Sequence, residues 1–207
     1  GPVALDGGEL ADTVRTIASN RVFILLALTT GANLATILMF IGAAPAIVLK
    51  HWGLAVTDFA WLFLPVIIGI VSGAYASGRL AGRIPGDRQI AFGFAITIGA
   101  VFLSVMLHGF VHPLPILAQQ VLITLAAAGV QLVIPVIVLR MLDLFPEVRG
   151  SAASVQTCVM LAIGAFCMGA VVPAINSEMQ LICIGALITS ALSYLIWRLA
   201  RHIHGPW

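Results

Sequence analysis

Residues 59–89 read "FAWLFLPVIIGIVSGAYASGRLAGRIPGDRQ". No charged side chain lies between Asp58 and Arg79. Arg79, Arg83 and Arg88 then follow close together, three of the chain's ten basic residues. As a helix of about 20 residues, such an apolar run crosses a hydrocarbon core of roughly 30 Å. Arginines just beyond a span anchor that end on the cytoplasmic side. The stretch therefore predicts a membrane span followed by a cytoplasmic loop.

The same alternation runs along the chain. Apolar segments occupy 22–49, 59–81, 90–110, 114–139, 150–174 and 179–199, separated by charge, proline and glycine. Of the 207 residues 61% are hydrophobic and 9% charged, against about 25% charged in a soluble domain. Such a chain cannot cover a water-facing surface, so lipid is its expected solvent and partner. The net charge of +2 gives no basis for nucleic-acid binding. Lipid offers a bare backbone no hydrogen bond, so each run predicts a helix. Runs this long and continuous exclude the short alternating segments of a lipid-facing β-barrel. The expected fold class is an all-α membrane protein, a bundle of six transmembrane helices over 21–201.

Six spans put both termini on one side. That side carries Arg15, Arg21, Arg79, Arg83, Arg88, Arg140, Arg149, Arg198 and Arg201, and the other only Lys50. Nine against one predicts a cytoplasmic location for both termini and for the loops 82–89 and 140–149. Trp52 and Trp61 fall at the expected outer interface and Trp197 at the inner one, as an aromatic belt would.

Catalytic signatures are missing. There is no nucleophile elbow, HExxH, phosphate-binding glycine loop or CxxC pair. His202 and His204 form a lone HxH in the terminal segment, without a third ligand close in sequence. Cys158, Cys167 and Cys183, an odd number inside spans, read as small core hydrophobes. All eight acids lie outside the apolar cores, so no carboxylate sits at mid-membrane. His108 is the titratable group nearest a span interior. Neither an enzyme, a cofactor nor a metal site is expected.

Uncharged polar groups inside the spans carry the functional signal. Thr29, Asn33, Thr36 and Phe40 share one face of span one, and Gln120, Thr124, Gln131 and Pro135 share one face of span four. Two polar faces at membrane depth read either as interhelical hydrogen bonding or as the wall of a wet cavity. Pro135 removes an N–H and frees the Gln131 carbonyl. Pro45 and Pro65 make similar breaks nearer the outer ends of spans one and two. Ser72, Tyr75 and Arg79 share a face of span two, and Gln156 lies near the cytoplasmic end of span five, one turn from Met160. Gly69, Gly73 and Ser77 form a small-residue stripe suited to close helix approach. The reading assigns Thr29, Asn33, Thr36, Phe40, Tyr75, Gln131 and Gln156 to a substrate cavity lined by spans one, two, four and five.

"FAWLFLPVIIGIVSGAYASGRLAGR" (59–83) resembles the eighth span and following loop of Bcr/CflA-type drug-efflux transporters of the major facilitator superfamily. "FIGAAPAIVLKHWGL" (40–54) is similar to the end of their seventh span and its outer loop. "LDLFPEVRGSAASV" (142–155) is similar to their loop between spans ten and eleven. The resemblance implies a twelve-span drug/proton antiporter of the bacterial inner membrane, of which these six spans are the second half. Residues 1–20 would be the tail of a cytoplasmic linker and 202–207 a cytoplasmic tail. Implied partners are an N-terminal six-span half and hydrophobic or cationic small molecules. The loop keeps Gly78, Arg83, Asp87 and Arg88 but lacks the family's Asp-Arg-x-Gly-Arg core, which argues against a gating ion pair there. The alternative is a self-contained six-span protein that pairs with a second copy and does not couple transport to protons.

Overall fold

The computed structural model describes residues 7–111 and 113–205. The first six residues of the expected linker, the His112 position and the last two residues of the expected tail lie outside the described residues. Among the described residues there is no strand, and six helical segments are long and apolar enough to cross a membrane. The chain is an all-α, six-span membrane bundle.

A short helix, α1 (Gly7–Ser19), precedes the spans and buries Ile17 against them. Span one is α2 (Arg21–Gly42), and span two, Val56–Leu80, contains α3 (Ala60–Leu80). Spans three and four are α4 (Gly86–Phe110) and α5 (Ile116–Asp143). Span five, Pro146–Ile175, joins α6 (Arg149–Phe166) to α7 (Val172–Ile175), and span six is α8 (Met179–His204). Asn20 caps span one, its side chain accepting from the Phe23 N–H at 3.0 Å.

Proline shapes two span ends. Pro45 is followed by a π-helical turn over Ala46–His51, and a second π turn, Cys167–Val171, precedes Pro173 in span five. The end of span one meets the second turn: a Cβ added to Gly42 would lie 3.3 Å from both Met168 and Val172. Glycine there allows the close approach. The sequence reading marked Pro45 and passed over Pro173.

Spans one and four are central and pack on each other. Span one also meets spans five and six, and span four meets spans two and three; spans three and six close the ring. Exchanging spans one, two and three for four, five and six carries these pairings onto one another, the one–four and three–six pairings onto themselves; a slighter contact of spans four and five has no comparable counterpart between spans one and two. Two three-helix repeats of opposite orientation give such a pattern. Spans two and five are the most open to the surroundings, and span one is the most enclosed.

Two apolar clusters fill the interior. One, around Phe40, Ile47, Leu62, Val101, Ile123 and Ile182, occupies the half next to the Lys50 and Asn176 loops. The other, around Phe23, Leu26, Phe94, Val133, Ile137 and Trp197, occupies the arginine-rich half. Trp197 is therefore not part of a lipid-facing belt. It is 1% exposed and packs against Phe94 and Tyr194. Trp61 is exposed, and Trp52 is half-buried. Cys167 and Cys183 are buried, as small core residues should be, but Cys158 is exposed.

Helices approach closely where both carry glycine. A Cβ at Gly93 would lie 2.6 Å from Val133 Cγ2 and 2.8 Å from the Gly129 carbonyl, whereas one at Gly99 on the same helix would meet nothing. Gly93→Val should therefore cost about 1–3 kcal/mol by overpacking. Gly99→Val should leave the thermal midpoint in detergent nearly unchanged. Equal losses from the two substitutions would contradict this packing.

Candidate functional site

The polar face expected on span one is closed. Thr29, Asn33, Thr36 and Phe40 are all buried. The Thr29 hydroxyl bonds the Leu25 carbonyl, and the Thr29 carbonyl accepts from Ser193 Oγ of span six at 2.8 Å. Thr36 and Thr189 share a hydroxyl–hydroxyl bond of 3.2 Å. Three of the four residues thus serve the seam with span six or the core, not an opening. This corrects the expectation of a cavity wall at Thr29, Thr36 and Phe40. The cause is span six, which the sequence reading left out of the cavity lining and which packs directly on span one.

Asn33 sits at the crossing of spans one and four. Its Nδ2 donates to the Val130 carbonyl at 3.1 Å, while its Oδ1 is buried without a partner. From span three, Gln89 Nε2 donates to the Leu132 carbonyl at 3.1 Å and to Ser77 Oγ of span two at 2.7 Å. Two amides thus reach the carbonyls on either side of Gln131, whose own carbonyl Pro135 deprives of its helical partner. Gln89 is 2% exposed and ties spans two, three and four together. The sequence reading missed it because it stands beside the arginine loop. Its signal was an amide opening an apolar run.

The polar face of span four divides in two. Gln120 Nε2 donates to the Trp61 carbonyl at 2.8 Å. Trp61 is four residues before Pro65, so this carbonyl is the one that proline leaves without an N–H. Thr124 Oγ1 donates to the Pro65 carbonyl at 3.1 Å. Two turns further along, Gln131 is half-exposed and its side chain makes no hydrogen bond among the described residues. Gln131 is the open amide at membrane depth.

On spans two and five, Tyr75 is 63% exposed with the Arg79 guanidinium 5.0 Å from its ring centre. Ser72, Ser154 and Thr157 are also exposed. Gln156 is buried and donates to Thr30 Oγ1 on span one at 3.4 Å, so it closes the span one–span five contact. Pro45 is exposed at its π turn, and Pro135 is half-buried within span four. The structure therefore leaves Tyr75 and Gln131 open among the seven expected cavity residues and buries the other five.

At the end opposite the arginines, Lys50 donates to the Ser177 carbonyl at 3.1 Å, and His51 Nε2 lies 3.1 Å from the Asn176 carbonyl. Trp52 Nε1 donates to Gln119 Oε1. A cavity of about 680 Å³ lies behind these contacts, lined by His51, His108, Gln119, Glu178 and Gln180 among others. A groove of about 540 Å³ between spans two and four, toward the same end, is lined by Trp61, Leu64, Gln120 and Thr124. Neither contains Asn33 or Gln131.

The arginine loop holds an ion pair after all. Asp87 opens span three, where the helix N-terminus favours an acid. Its Oδ1 lies 2.6 Å from Arg140 Nη1 of span four and its Oδ2 lies 3.4 Å from Arg201 Nε of span six. The Asp87 and Arg140 side chains are only 17% and 12% exposed. The sequence reading considered Asp87 beside Arg88 and overlooked its partners, which come from distant helices. Arg79, Arg83 and Arg88 are exposed. Gly86 makes the pair possible, because a Cβ there would sit 2.8 Å from Arg140 Nη2.

No protein-family model matches the chain, and no curated protein is similar to it.

Removing the Asp87 carboxylate takes an ion-pair partner at 2.6 Å from the largely buried Arg140. Asp87→Asn should cost about 2 kcal/mol of stability. Arg140→Gln in the Asp87→Asn background should cost much less than it does alone. Chemical unfolding in detergent measures all three variants, and additive losses would rule out the coupling.

Proposed function

We propose that this bundle is one six-span half of a proton-coupled efflux transporter for hydrophobic or cationic small molecules, of the Bcr/CflA type within the major facilitator superfamily. The observation that carries the proposal is the exchange relation among the spans, with one and four central and two and five open. Halves of such transporters are built from two inverted three-helix repeats, and substrate sites form at repeat interfaces near mid-membrane. The open amide of Gln131 and the exposed Tyr75 supply the polar and aromatic contacts from this side. Asn33, one helix in, stiffens the crossing behind them. The other wall belongs to an N-terminal six-span half. Proton coupling resides in that half as well, since Asp58, Asp87, Asp143 and Glu147 stand at the ends of these spans and no Asp or Glu lies in their apolar interiors. The nine arginines on one side support a cytoplasmic location for both termini, and the Bcr/CflA resemblance supports the bacterial inner membrane.

Two experiments test this. In a background lacking the three cysteines, Thr57→Cys should react with an impermeant maleimide added outside intact cells, and Arg83→Cys should react only after permeabilisation. The opposite labelling would invert the topology. In liposomes with an imposed pH gradient, the purified chain alone should not accumulate a fluorescent cationic dye, and accumulation should appear with a complementary six-span half. Gln131→Leu in that assembly should shift the dye preference severalfold with little change in protein level. Gradient-dependent uptake by the chain alone would overturn the proposal.

A further inference from the structure

At the arginine-rich end, spans three and six meet beside Asp87. Phe94 packs on Tyr194 and Trp197 with ring centres 5.5 and 5.9 Å apart. Spans one and four cover the inner side of this seam, so its other side faces lipid. Arg88 lies on the exposed face of span three, with Ala91, Phe92 and Ala95. Arg198 lies on the exposed face of span six, with Leu195 and Leu199, next to the Tyr194–Arg201 edge that meets span three. Helical spacing puts Arg198 and Arg201, three apart, on neighbouring surface.

These arginines are held from behind and leave donors in front. The Arg201 side chain is 44% exposed and rests 5.7 Å over the Trp197 ring, using Nε for Asp87. Its two Nη groups have no hydrogen bond among the described residues. Arg198 rests 5.9 Å over the Tyr194 ring and gives one Nη1–H to the Tyr194 hydroxyl at 3.0 Å. The Arg88 side chain makes no ion pair or hydrogen bond among the described residues. Among the described residues the acid at the seam is Asp87, and it is already paired with Arg140 and Arg201. Three guanidinium groups therefore lie on the exposed faces of spans three and six on either side of this seam. Ala91 and Ala95, exposed on the Arg88 face of span three, continue that face toward mid-membrane with small side chains.

We infer that this seam holds the phosphodiester headgroup of an anionic phospholipid, with one acyl chain along Ala91 and Ala95. Guanidinium forks match phosphate oxygens geometrically, and basic notches between spans at a headgroup level select anionic lipids. The inference is independent of transport. It requires only that the bundle spans a membrane.

The test uses the full purified chain in micelles doped with phosphatidylglycerol or with phosphatidylcholine of the same acyl chains, with bound lipid counted by native mass spectrometry. Phosphatidylglycerol should be retained in preference to phosphatidylcholine. Arg88→Gln with Arg198→Gln should lower its retention roughly tenfold or more. Arg79→Gln with Arg83→Gln removes the same charge from another exposed region and should change retention less than twofold. Arg88→Lys with Arg198→Lys should fall between the two. Millimolar inorganic phosphate should not displace the lipid. Equal losses in both glutamine pairs would reduce the effect to a general positive field and overturn the site. Equal retention of the two lipids, or displacement by inorganic phosphate, would overturn it as well.

Discussion

Within hydrocarbon, a backbone carbonyl without a donor has nothing else to bind. The helix pairings of this bundle follow from that constraint. Pro65 strips the Trp61 carbonyl of its N–H, and Gln120 from span four supplies one in its place. Near Pro135, Asn33 and Gln89 bring amides from spans one and three onto neighbouring carbonyls of span four. Span four is therefore the hub. It gives an amide to one proline break and receives two around the other, and so fixes the positions of spans one, two and three. Glycines at Gly69, Gly73, Gly93 and Gly129 let the backbones come close enough for these short side chains to reach.

The two ends are fastened by different chemistry. At the arginine-rich end a single carboxylate, Asp87, gathers spans three, four and six through two guanidinium groups. At the opposite end Lys50 and His51 hold the loop between spans five and six, and Trp52 holds span four through Gln119. The bundle is thus braced at both ends and at its centre.

The six spans were legible because lipid imposes hydrophobicity over a length that nothing else in a sequence mimics. The destiny of the polar residues was much less so. Periodicity located Thr29, Asn33 and Thr36 on one face, but whether that face met water or another helix depended on where span six lay. Helical spacing within one span carries no information about its neighbour. Gln131 and Gln120 share a face, yet one is open and the other clamps a proline break, because span two covers only one of them. Asp87 illustrates the same limit: its partners stand 53 and 114 positions away in the chain (140 − 87 and 201 − 87). Trp197 shows a belt residue in sequence that tertiary packing drew inside.

The central claim is that the Gln120 amide on span four replaces the backbone donor that Pro65 removes. The direct measurement is a double-mutant cycle between Gln120→Leu and Pro65→Ala, read by reversible unfolding in mixed micelles. With Pro65 present, losing the Gln120 amide strands the Trp61 carbonyl and should cost about 1 kcal/mol, within the range of hydrogen bonds in membranes. In the Pro65→Ala background the helix supplies its own N–H, and Gln120→Leu should cost close to nothing. The same cost in both backgrounds would contradict the account, since Gln120 would then be stabilising the bundle by packing alone.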